Sequence, residues 1–254
     1  MIFRVLLFLI LLIQPCYCAT IHAILLGDTD SDYLGDPISI DLDRMQKCAG
    51  RIARYCDLSL NVEVFKGKRL LAEDVVSTIS KLQVEREDII LLFFSGHGWR
   101  TSSKDLDSNP WPNLYFSNTD SGIDFYNLCT MAAEKEPRFL LAISDTCNNY
   151  LANERFLPSL VQLYPKAVSS QSVVKRNYQT LFKETSGSLL LTATEKGGIA
   201  YLSTHGSLLT IHVERALQNN EDQLCWESVL QYLDDSMKEK QKIYYELQLR
   251  DPSS

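Results

Sequence analysis

The sequence predicts an α/β fold of three layers: a mostly parallel central sheet with helices on both faces. Three observations carry this. Short apolar runs alternate along the chain with longer stretches in which apolar residues recur every three or four positions. The strongest runs, within Ile21–Leu26, Asp88–Phe94, Arg138–Ser144 and Leu189–Ala193, are apolar at consecutive rather than alternate positions, as strands covered on both faces must be. The chain is 254 residues long and 45% apolar, which suits one domain with a core that needs no staples.

The first eighteen residues stand apart. Arg4 precedes an unbroken apolar run, Val5 to Ile13, and then come Gln14-Pro15-Cys16-Tyr17-Cys18. A basic start, a short greasy segment, a breaker and small residues at alternate positions describe a secretory signal peptide cleaved after Cys18. The run is too short to span a bilayer comfortably. The expectation is therefore a secreted or periplasmic protein without stable membrane insertion, its residues 19–254 forming a single domain.

Within that domain Ile21–Leu26 reads as a buried strand ended by Gly27. Leu42, Met45, Ala49, Ile52 and Cys56 recur at helical spacing, with Ser39 or Asp41 as N-cap candidates. Leu60, Val62 and Val64 alternate like a strand, and Leu71, Val75, Ile79 and Leu82 line a second helix. Asp88–Phe94 is a strand stopped by Ser95-Gly96-His97-Gly98. After a polar loop, Leu114–Phe116 reads as a short strand and Ile123–Glu136 as a helix closed by Pro137. Arg138–Ser144 and Leu189–Ala193 are the remaining strong strands, and Leu208–Gln218 and Trp226–Met237 are two last helices.

Composition excludes some functions. The formal charge is −7, which gives no general field for phosphate backbones, so no nucleic-acid partner is expected. There is no Walker loop and no H-E-x-x-H. Beyond the leader lie Cys48, Cys56, Cys129, Cys147 and Cys225, an odd number that leaves at least one free thiol in an oxidising compartment. Their irregular spacing does not suggest zinc. His205 and His212 lack a third ligand and read as structural or surface residues.

In open parallel sheets, chemistry collects beyond the carboxyl ends of the strands. Two reactive residues sit at such ends: His97 after Asp88–Phe94, and Cys147 after Arg138–Ser144. A thiol assisted by an imidazole suffices for acyl transfer. Flanking glycines around His97 remove side chains that would block a substrate.

These segments carry a family resemblance. Phe93-Phe94-Ser95-Gly96-His97-Gly98 resembles the histidine segment of caspases and metacaspases, and Asp145-Thr146-Cys147 resembles the nucleophile segment of the metacaspase branch. The separation of 50 positions from His97 to Cys147 matches the spacing of caspases. Leu190-Leu191-Thr192-Ala193-Thr194 and His205-Gly206-Ser207-Leu208-Leu209-Thr210 resemble the later strand and helix start of that fold. The resemblance implies a caspase-like fold and a cysteine endopeptidase. Cys147 would attack a peptide carbonyl, His97 would protonate the leaving amine, and the N–H groups of Gly98 and Cys147 would form the oxyanion hole.

The same resemblance places Asp145 in the S1 pocket, and Asp41 resembles the second acidic residue there. Two such carboxylates imply peptide or protein substrates with Arg or Lys at P1. For Asp41 a helix N-terminal acid facing the dipole is an equal reading. The resemblance also implies a processing linker over residues 164–188, with self-cleavage after Lys175, Arg176 or Lys183. No cofactor is required. Calcium is one it allows, with Asp105, Asp107, Asp120 and Asp124 in the relevant region, whereas Asp28–Asp32 fails as an EF-hand because Tyr33 and Ser39 occupy key positions. Where metacaspases continue with His-Ser-Gly after the nucleophile, this chain has Asn148-Asn149-Tyr150. Two readings therefore stand: an active peptidase, or a catalytically silent caspase-fold module that binds a protein or peptide partner.

Overall fold

The computed structural model describes residues 18–150, 170–219 and 224–250. The leader therefore lies outside the described residues, apart from Cys18. In chain order the strands are β1 (Thr20–Gly27), β2 (Ser59–Lys66), β3 (Ile89–Ser95), β4 (Gly98–Trp99), β5 (Asn113–Phe116), β6 (Ser121–Asp124), β7 (Phe139–Asp145), β8 (Gly187–Thr192), β9 (Leu202–Ser203), β10 (Gly206–Ser207) and β11 (Tyr244–Leu249). The helices are α1 (Gly35–Cys56), α2 (Ala72–Lys81), the short α3 (Ser103–Leu106), α4 (Phe125–Ala133), α5 (Gln171–Phe182), α6 (Leu208–Leu217) and α7 (Trp226–Met237).

The central sheet has the order β11-β8-β7-β3-β1-β2. Its first five strands in sequence are mutually parallel, and β11 closes one edge antiparallel to β8. Every residue of β3 and β7 is buried, which is why both read as unbroken apolar runs. Alternate residues feed two cores. Ile21, Leu91, Phe93, Leu141 and Ile143 pack against α1, α5, α6 and α7, while Ile24, Ile90, Phe94 and Leu140 pack against α2, α4 and the β4–β6 hairpins. The three-layer α/β expectation holds. Each such Leu, Ile or Phe contributes about 1.5–3 kcal/mol by leaving water.

Boundaries moved where tertiary contacts outweighed local signals. α1 starts at Gly35, before either cap candidate, because the preceding turn supplies the carbonyl partners: Ser31 O accepts from Gly35 N–H and Leu34 O from Ile38 N–H. Asp41 thus lies well inside the helix, not at its dipole end. The helix expected over Ile123–Glu136 is split into β6 and α4, with the Asp124 carboxylate capping α4 through the Tyr126 N–H at 2.8 Å.

The segment expected to be a processing linker is partly a helix. In α5, Val174, Tyr178, Leu181 and Phe182 form a buried stripe on the core. Lys175 and Arg176 are consequently helical rather than extended, and Lys183 is the C-cap. The part of that segment before residue 170 lies outside the described residues. Among the described residues no helix is long and apolar enough to cross a membrane, and no disulfide joins the described cysteines Cys18, Cys48, Cys56, Cys129, Cys147 and Cys225 to one another.

Candidate active site

β3 and β7 are neighbours in the sheet, paired in register from Ile89 opposite Phe139 to Ser95 opposite Asp145. His97 and Cys147 each follow two residues after that last pair, so the topology delivers both to one place beyond the carboxyl edge. The two segments stay joined there. Gly96 N–H donates to Asp145 O at 3.4 Å and Arg100 N–H to Asn149 O at 2.7 Å. Between them Gly98 is pressed onto the cysteine segment: a Cβ there would lie 2.2 Å from Thr146 Oγ1 and 2.6 Å from the Cys147 carbonyl oxygen. Only glycine fits this approach.

Cys147 is half-buried, and its Sγ accepts the Ala200 N–H at 3.3 Å. The half-buried His97 ring has its Nε2 at 2.9 Å from Ser31 Oγ and meets the Tyr115 ring edge-on at 6.3 Å. The His97 carbonyl accepts from Tyr115 N–H at 3.0 Å. Below the histidine segment the buried Asp28 carboxylate accepts from Ser117 N–H and Oγ–H at 3.1 and 2.6 Å. Burial raises its pKa, an effect opposed by those bonds and by the His97 charge.

Asp41 and Asp145 are brought together in one buried site. Both are held at the N-terminus of α6, where helical N–H groups lack internal partners. Asp41 accepts from Ser207 N–H at 3.0 Å, from Ser207 Oγ–H and from Ser95 Oγ–H at 2.9 Å. Asp145 Oδ2 accepts the N–H and Oγ–H of Thr210 at 2.8 and 2.7 Å. Its other oxygen, Oδ1, is buried with no hydrogen-bond partner among the described residues. Desolvation raises both acids, Asp41 to about 6 and Asp145 to about 8, the latter also through repulsion by Asp41. Gly206 makes the closeness possible. Its φ is +107°, and a Cβ there would lie 2.3 Å from Asp41 Oδ1.

The residues after the nucleophile position are structural. Asn148 is fully buried. Its backbone donates to Gly198 O at 3.0 Å and accepts from Gly197 N–H at 2.8 Å, while its side chain donates to Pro110 O at 2.7 Å and accepts from Arg100 Nη1 at 3.2 Å. The buried Arg100 guanidinium also holds Asp105 through Nε and Nη2, and the Asn109 carbonyl. Asp105 in turn accepts from Tyr150 OH and pairs with Lys196, and these cations and the hydroxyl hold its carboxyl down to about 2. One polar brace therefore joins the loop after His97, the loop after Cys147 and the loop carrying Ala200.

Of the acids considered for calcium, Asp105, Asp120 and Asp124 are engaged with protein groups. Asp124 pairs with the buried Lys104 at 2.9 Å besides capping α4, and Asp120 accepts from Tyr115 OH at 2.7 Å. Lys104 and Arg100 already supply the positive charge there, so the donor set does not fit calcium. Among the described residues no group of three or more His, Cys, Asp or Glu side chains could hold a metal. His212 is buried against Tyr232, its pKa lowered to about 4 by burial and by Arg215 and Lys240, and His205 bonds through its backbone, its carbonyl accepting from Arg44 and its N–H donating to Ser203 Oγ.

Sequence reasoning overlooked Ser31, Ser95, Ser207, Thr210, Arg100 and Ala200. Ser95, Ser207 and Thr210 were within the motifs that drew notice, but no local pattern marks Ser31 or Arg100 as neighbours of the site. Comparison with known proteins agrees with this architecture. No curated protein matches the chain. Among solved structures, protein GSU0716 from Geobacter sulfurreducens is similar in fold, with a TM-score of 0.60 at 17% identity over 92% of this chain and 96% of that one. A family model described as the Caspase domain, Peptidase C14, matches residues 36–251, most of the chain and all the site residues just described except Ser31 and Asp28. The chain belongs to the caspase-domain family.

Proposed function

We propose that the protein is an exported cysteine endopeptidase that cuts after Arg or Lys. Cys147 thiolate attacks the scissile carbonyl, forming the S–C bond. His97 gives its proton to the leaving amine as the C–N bond breaks, and water then hydrolyses the thioester with His97 as base. The N–H groups of Gly98 and Cys147 stabilise the oxyanion. Support comes from the pairing of β3 with β7, which sets the two residues at matching positions past adjacent strand ends.

One observation carries the basic specificity: the unpartnered Asp145 Oδ1 in a site shared with Asp41. A buried carboxylate oxygen without a donor is costly, and a guanidinium or ammonium is the group that answers it. A carboxylate set this deep is reached by a long side chain, Arg or Lys. A second reading, a silent module that binds a peptide or protein partner, is favoured by a specific contact: the Cys147 sulfur is already engaged as acceptor of the Ala200 N–H at 3.3 Å.

The test offers the reduced full chain and its Cys147→Ala variant peptides ending in Arg, Lys, Asp or Leu at P1. Cleavage after Arg and Lys that vanishes in the variant is expected. Cleavage after Asp would overturn the S1 assignment. A folded, reduced protein that binds such peptides without turning them over would establish the second reading.

A further inference from the structure

The sequence between β1 and α1, residues 28–34, was notable only as a failed EF-hand. In the structure it forms a tight loop under the histidine. Asp28 N–H donates to Ser95 O at 3.1 Å, tying the loop to the end of β3, and Gly35 N–H donates to Ser31 O at 3.0 Å. Gly35 packs so closely on Thr29 that a Cβ would lie 2.4 Å from the Thr29 carbonyl oxygen. This fixes the half-buried Ser31 with its Oγ 2.9 Å from His97 Nε2.

We propose that Ser31 is the positioning residue of His97. Its hydroxyl accepts the Nε2–H and fixes both ring orientation and tautomer, leaving Nδ1 to exchange protons with the Cys147 thiol and the leaving amine. The order of events follows that of a base oriented by a third group. Tyr115 bounds the ring on another side. This rests on the peptidase reading above for its kinetic consequence, but not for the ring geometry itself.

The experiment uses the full chain labelled with 15N-histidine, as wild type and as Ser31→Ala, Ser31→Thr and Ser31→Val, with His97→Ala to assign the resonances. Thr and Val have the same shape and differ in the hydroxyl. Ser31→Val and Ser31→Ala are expected to shift the His97 ring nitrogens toward a mixture of tautomers, whereas Ser31→Thr keeps the wild-type pattern. With a basic peptide substrate, kcat is expected to fall about tenfold in the Val and Ala variants with KM within about twofold, and to recover in Thr. A His97 pattern identical in Val, Thr and wild type overturns the proposal, as does a kcat that does not distinguish Thr from Val. If the wild type turns over no substrate, the peptidase reading fails, and the ring spectra still decide the role of Ser31.

Discussion

Replacing Asp145 with Asn tests whether the acidic pocket is as desolvated as its geometry implies. Asp145 is 3% exposed, and its pKa is raised from 3.8 to about 8 by burial and by Asp41. Between those values the folded chain holds a proton that the unfolded chain has released. Stability therefore falls as pH rises through that interval and levels off above about 8. A single site gives a slope of about 1.4 kcal/mol per pH unit, so the wild type loses about 3 kcal/mol between pH 5 and pH 7 through this group. The amide introduced by Asp145→Asn can still accept from Thr210 and carries no titrating charge. The variant also frees Asp41 from repulsion by its neighbour, which acts in the same direction. Urea unfolding at pH 5, 7 and 8.5 is expected to show the variant's advantage over wild type growing by about 3 kcal/mol between pH 5 and pH 7 and levelling off by pH 8.5. The same variant should lose about 100-fold or more in kcat/KM toward Arg and Lys peptides, because a bound guanidinium or ammonium ionises Asp145 and an amide cannot answer that charge. A stability difference that stays flat across this range would refute the desolvated pocket.

Two further substitutions probe the supports of the site. Gly206→Ala places a side chain at φ +107° and within 2.3 Å of Asp41 Oδ1, so a loss of about 2–3 kcal/mol is expected, read as a lowered Tm; an unchanged Tm would show that the Asp41–Ser207 contact is slack. Arg100→Met removes the guanidinium that links Asp105 to Asn148, leaving the buried Asn148 Oδ1 without its donor at a cost of about 1–3 kcal/mol in urea unfolding. Arg100→Lys should recover little of it, since one ammonium cannot span the Asp105, Asn109 and Asn148 acceptors; full recovery by Lys would argue for charge alone.

Much of this was legible because it is local. Consecutive apolar residues in Asp88–Phe94 and Arg138–Ser144 announce buried strands, and helical spacing from Leu42 to Cys56 announces α1, since these patterns arise from neighbouring residues along the chain. Strand ends in turn mark where His97 and Cys147 must stand. The α5 stripe of Val174, Tyr178, Leu181 and Phe182 also has helical spacing, but the polar residues between them mask it. Edge strand β11 was missed for another reason. Its half-exposed Tyr-Tyr-Glu-Leu-Gln-Leu becomes a strand through pairing with β8, and that partner lies some fifty residues away.

By itself, then, the sequence determined the alternating α/β framework, its buried parallel strands and the two reactive residues at their ends. Tertiary structure alone decided what surrounds those residues. Ser31 meets His97 across 66 residues, Thr210 meets Asp145 across 65, and Ser207 meets Asp41 across 166. Such polar contacts follow no periodicity. Their partners are chosen by sheet order and by where the N-terminus of α6 comes to rest, and the desolvation that raises both acids exists only once these elements have closed over them.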